Sequence, residues 1–82
     1  MNFRKRFRKI VDSPKNVRFG ELCTIIRAFG FRLLRTSGSH HIFARAGISE
    51  QINIQNVGGK AKPYQVRQFL KLVERYNLEL PD

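Results

Sequence analysis

The chain is poor in cysteine, proline and acid: one Cys, three Pro, no Trp and six carboxylates in 82 residues. A lone thiol, Cys23, excludes an intramolecular disulfide, and zinc signatures of the CxxC type are absent, so a reducing cytoplasm is the expected setting. Apolar runs reach four residues at most, against the roughly 20 that a membrane-spanning helix needs. No hydrophobic signal segment follows the basic start, so a soluble protein with no membrane partner is expected. The acids Asp12, Glu21, Glu50, Glu74, Glu79 and Asp82 are scattered. No spacing gathers two of them at one site, which argues against a two-metal nuclease and leaves no metal or other cofactor expected. There is no nucleotide fingerprint either, because Gly58-Gly59-Lys60 lacks the length and the hydroxyl of a phosphate cradle.

What is abundant is positive charge. Sixteen Lys and Arg give a net charge of +10, and on one small domain this field favours polyanions or acidic partners. Nucleic acid, an anionic membrane surface and an acidic protein all satisfy it.

Residues 1–16 read as a basic N-terminal arm and 17–82 as a single domain. The opening MNFRKRFRKIV carries five basic groups and no acid, with Phe3, Phe7, Ile10 and Val11 at helical spacing. A frayed arm and a short amphipathic helix are both open, as are phosphate contact, membrane contact and targeting. Asp12-Ser13-Pro14 closes the segment. From Phe19 to Phe29, Leu22, Ile25, Ile26 and Phe29 follow the i, i+3, i+4, i+7 pattern and predict a helix capped by Gly30, with Asn16 or Gly20 available at its start. Cys23 falls beside that stripe as a small buried hydrophobe. Phe31 to Ser37, Ser39 to Ala46 and Glu50 to Val57 read as a three-stranded antiparallel meander, the third with Ile52 and Ile54 alternating against Gln51, Asn53 and Gln55. After Gly58-Gly59, Pro63 opens a second helix with Val66, Phe69, Leu70 and Val73 on its apolar face and Tyr64 and Tyr76 expected against the core. The fold class is α+β: helix, three strands, helix, with both helices on one face of the sheet. This is the order of a double-stranded RNA-binding domain, and it is compatible with other small α+β folds too.

The two histidines stand together in TSGSHHIFAR, residues 36–45. Neighbours in a strand project to opposite faces, so His40 and His41 cannot clamp one metal. Imidazole in a basic neighbourhood is the minimum for cleaving RNA without a metal. It can pass a proton to or from the 2′-hydroxyl that attacks the adjacent phosphate, while cations offset the developing charge. The preceding Gly38 and Ser39 allow close backbone approach and offer a hydroxyl and amides to a phosphate.

The Gly38-Ser39-His40 triplet, the following Ile42 and Phe43, the helix ending in Gly30-Phe31 and the closing GKAKPYQVRQFLKLVERY together resemble the HicA family of bacterial toxin-antitoxin systems, from Val17 to about Leu78. The resemblance implies a small mRNA-cleaving toxin with a fold like that of double-stranded RNA-binding domains. It makes His40 the catalytic residue and His41 a bystander, and it implies a HicB-like antitoxin as partner, with the chain a monomer or in a small complex with it. Two features depart from the family pattern. Gln55-Asn56-Val57 stands where many members carry a Pro-x-His, and the basic segment before Asp12 is additional. A non-catalytic RNA-binding module of the same fold is the alternative function.

Parity sets a further expectation: Arg45 shares a face with His41, which leaves His40 beside Ile42 and Ala44 and half buried. Lys60 and Lys62, just before the second helix, lie where such domains grip phosphate; a solvated loop is the other reading. Arg67, Lys71 and Arg75 repeat every fourth residue, a like-charge row costing about a few tenths of a kcal/mol per pair. Arg67 and Lys71 are candidates for RNA contact, against a plain wet helix face.

Overall fold

The computed structural model describes residues 2–81; Met1 and Asp82, the last of the scattered carboxylates, lie outside them. The elements are α1 (Phe3–Asp12), α2 (Phe19–Ala28), β1 (Arg32–Ser37), β2 (His40–Ala44), β3 (Ile52–Val57), β4 (Lys60–Ala61) and α3 (Pro63–Arg75). The order from α2 to α3 follows the sequence pattern, with one correction. The sheet has four strands, not three, in the order β1-β2-β3-β4, each antiparallel to the next. The fourth is only two residues long, too short to leave an alternation. It forms because Gly58 and Gly59 reverse the chain and pair Val57 with Lys60 and Asn56 with Ala61.

Register decides which side chains meet the helices. His41 pairs with Ile54 and Phe43 with Ile52, and paired residues share a face. That inner face packs Phe43, Ile52 and Ile54 with Leu22, Ile25 and Ile26 of α2 and Val66 and Phe69 of α3, all buried in one cluster. The other face, with His40, Ile42, Asn53 and Gln55, has no helix on it. A bulge between Leu33 and Arg35 interrupts the ladder in the edge strand β1 and with Arg32 and Arg35 makes that edge a poor template for another strand.

Where sequence leaves arm and helix open, Phe3–Asp12 form α1, capped by the Asn2 side chain accepting from the Lys5 amide. It joins the core. Ile10 is 2% exposed, the Phe7 ring meets Phe29 at 5.0 Å and Phe69 at 6.5 Å edge to face, and Arg6 makes a two-pronged pair with Glu21, at 2.6 and 2.8 Å. The Arg6 guanidinium holds the Glu21 carboxyl below its ordinary value.

Two caps differ in kind from what sequence suggests. Neither Asn16 nor Gly20 caps α2. Arg18 occupies the N-cap with no side-chain bond, and the Phe19 amide instead donates to the Gly59 carbonyl in the turn before β4. At the other end Gly30 is left-handed as expected, and Arg45 adds a bond from its guanidinium to the Phe29 carbonyl at 2.9 Å. A cation on the last carbonyls also suits the helix dipole. Cys23 is buried, and burial pushes its thiol up. Tyr64 and Tyr76, expected against the core, are exposed instead. The Tyr76 hydroxyl donates to Glu50, which also accepts from Ser49 and, at 2.7 Å, from Arg75. This tie anchors the end of α3 to the chain before β3.

Candidate functional site: the Gly-Ser-His turn

β1 and β2 are joined by the two residues Gly38 and Ser39. Gly38 adopts φ +58°, the left-handed conformation that a tight hairpin requires at its first central position and that a side chain disfavours by about 1–2 kcal/mol. A Cβ there would touch nothing within 4 Å. Backbone conformation therefore demands the glycine, and the space beside it is open. Ser39 is held twice: its carbonyl accepts from the Asn56 amide at 2.9 Å and its hydroxyl from the Gln55 side-chain amide at 3.1 Å.

His40 is the first residue of β2, on the helix-free face, half-buried. Its Nδ1 lies 3.1 Å from Asn53 Oδ1. An amide oxygen only accepts, so the contact requires a proton on Nδ1, and in the neutral ring with that tautomer Nε2 is the acceptor. The adjacent strand positions are Ser37 and Gln55, neither of which titrates near neutral pH. His41 faces the other way, its ring edge to face with Phe19 at 4.8 Å, and its Nδ1 is buried without a hydrogen-bond partner among the described residues. The half-burial expected of His40 is found. Arg45 follows the last residue of β2 and spends its charge on the end of α2, so its shared parity with His41 brings no charge to the inner face.

The same turn is tied to the start of α3. Asn56, which holds Ser39, pairs with Ala61, and Lys60 and Lys62 flank Ala61 in the chain. Gln65, 4% exposed, accepts from the Gln55 amide at 2.8 Å and donates to the Tyr64 hydroxyl at 3.3 Å. Alternation along β3 puts Asn53, Gln55 and Val57 on one face, and pairing adds His40 and Lys60 to it. Lys60 Nζ donates to Asn16 Oδ1 at 2.9 Å, and Lys62 Nζ lies 6.0 Å from the Tyr64 ring centroid. Gly38, Ser39, His40, Lys60 and Lys62 thus converge on one end of the molecule. Arg67 and Lys71 do not join them. They are exposed on α3, whose opposite side, through Val66, Phe69 and Val73, packs into the core on the inner face of the sheet. Among the described residues no group of three or more His, Cys, Asp or Glu gathers at one place.

A family model described as "HicA toxin of bacterial toxin-antitoxin" matches residues 19–74. The chain belongs to the HicA toxin family. Membership makes it the toxin of a toxin-antitoxin pair, with a cognate antitoxin and, in general, an RNA target. The HicA match opens with α2 and closes near the end of α3, so it contains the whole sheet and leaves α1 outside. No curated protein and no solved structure matches the chain. No helix among the described residues is long and apolar enough to cross a membrane.

Sequence reasoning singles out Gly38, Ser39 and His40 as candidates and misses Asn53, Gln55 and Gln65 as partners of the turn. The alternation of β3 marks Asn53 and Gln55 as solvent-facing. Only the register of β2 on β3, which no local pattern encodes, sets them beside His40.

Proposed function

We propose that this HicA chain is a metal-independent endoribonuclease acting on mRNA, with His40 as its general base, neutralised by a HicB-like antitoxin that covers the same end of the molecule. The observation that carries this reading is the His40–Asn53 contact: a histidine on the open face of the sheet, held with its accepting nitrogen free, beside an unobstructed Gly-Ser turn.

In the proposed step, His40 Nε2 takes the proton of a ribose 2′-hydroxyl. The 2′-oxygen forms a bond to the adjacent phosphorus, the bond from phosphorus to the 5′-oxygen breaks, and solvent supplies the proton to the leaving oxygen. The products are a 2′,3′-cyclic phosphate and a 5′-hydroxyl. The backbone at Gly38 and Ser39 approaches the phosphate, and Lys60 and Lys62 offset the charge that builds on its oxygens. Arg67 and Lys71 face elsewhere and act on flanking RNA through the general positive field.

Replacing the base should lower cleavage about 10²- to 10⁴-fold. A folded His40→Ala chain should lose activity to that extent while still binding RNA, and chelators should leave the parent's activity intact. Undiminished cleavage by His40→Ala would overturn the assignment. One observation favours the alternative of a non-catalytic RNA-binding module: the strand neighbours of His40, Ser37 and Gln55, offer no second group to transfer a proton. It requires that the parent bind RNA in a salt-sensitive manner and cut none at high protein concentration.

A further inference from the structure

Helix α1 lies outside the matched family region, and the cations of its first turn work against its own stability. Arg4 and Lys5 sit in its first turn, where no acid is present and where the helix dipole disfavours cations. Arg4 and Arg8, and likewise Lys5 and Lys9, stand one turn apart, where like charges repel. All four are exposed, and none forms an ion pair with a carboxylate of the described residues; Lys9 alone is partly accounted for, by its place in the last turn and its charge near Glu21. From this face, which folding does not explain, we infer that α1 is a second RNA-backbone contact, extending the track of single-stranded RNA beyond the His40 turn. The inference rests on the ribonuclease reading above and adds its footprint.

Three observations select RNA as the occupant. An amphipathic helix that docks on a membrane inserts its apolar face, but Phe7 and Ile10 of α1 are committed to the core, leaving cations and one exposed apolar residue, Val11. Protein interfaces are depleted in Lys at their centres, whereas nucleic-acid interfaces are densely cationic. The basic surface is also continuous with the proposed site. A cleft of about 430 Å³, lined by Arg6, Lys9, Ile10, Asn16, Val17, Arg18 and Glu21, joins α1 to the start of α2. Its one carboxylate, Glu21, is taken up by Arg6. The Arg18 and Lys60 backbones pair, and Lys60 Nζ donates to Asn16 of the cleft lining, so the cleft borders Lys60, at the same end of the sheet as the Gly-Ser turn.

The test is the salt dependence of binding to a single-stranded RNA of roughly 12 nucleotides, within the span such binders occupy. It is measured in the His40→Ala background so that the RNA survives. That background alone is compared with a chain also carrying Arg4→Gln, Lys5→Gln, Arg8→Gln and Lys9→Gln. Each phosphate that is no longer neutralised should flatten the slope of log K against log salt by about 0.7, approaching about 2.8 for all four. The affinity gap should narrow as salt rises, and the melting temperature should hold or rise because repulsion is relieved. The Arg4→Gln, Arg8→Gln pair should give half the change and guards against a fold defect in the quadruple variant. An unchanged slope overturns the inference, as does a loss of binding to phosphatidylserine vesicles with RNA binding intact. If Lys60→Gln and Lys62→Gln still weaken RNA binding in that case, the His40 site reading stands without the α1 track. If the His40→Ala chain binds no RNA at any salt, both fall.

Discussion

In the proposed mechanism the chemistry turns on His40, and Asn53 lies against its ring. Asn53→Leu removes the acceptor at 3.1 Å, a hydrogen bond contributing about 1 kcal/mol, so kcat should fall by about 5- to 10-fold with KM little changed. Asn53→Asp keeps an acceptor and adds a negative charge that favours the imidazolium. The pH at which activity rises should therefore move upward, and a pH–rate profile checks this. The triplet Gly38-Ser39-His40 was legible because its demands are local: a tight turn needs a left-handed residue, and a strand start fixes the side of the next ring. Asn53 was not legible, because it reaches His40 across a ladder from 13 residues away in the chain.

Among the elements, α1 was the least certain in sequence, since five cations and four apolar residues suit a frayed arm as well as a helix. Tertiary packing decides the matter. Ile10→Ala should destabilise the fold by about 2–5 kcal/mol in chemical denaturation, as expected for a buried aliphatic side chain; an unpacked arm would give no change. β4 was invisible, since two residues carry no periodicity, and α2 and α3 were plain because their apolar stripes run three turns. At the end of α3, hydrogen bonds from Tyr76, Ser49 and Arg75 hold the Glu50 carboxyl down to about 2. A carboxyl lowered on folding contributes stability that is present above its ordinary value of 4.5 and is lost as pH falls toward 2. Glu50→Gln should flatten the acid limb of the melting curve across that window. A limb as steep as the parent's would show that the tie contributes nothing.

At the scale of the whole molecule, the sheet divides two functions. One face takes Phe43, Ile52 and Ile54 into the core with the helices, and the other presents His40 with Asn53 and Gln55. The composition made the polyanion preference readable, and the strand pattern made the two faces readable. The placement of Lys60 and Lys62 at the same end of the sheet as the Gly-Ser turn depends on the Asn56–Ala61 and Gln55–Gln65 contacts, which only the assembled fold supplies. The chemistry itself is tested most directly by incubating RNA with the parent chain in a chelator and identifying the new ends, alongside a substrate whose ribose lacks the 2′-hydroxyl at the cut position. Cyclic 2′,3′-phosphate ends from the normal substrate, none from the deoxy one, and none with His40→Ala are the expected result. Cleavage of the deoxy substrate, or of RNA by the His40→Ala chain at the parent's rate, would contradict it.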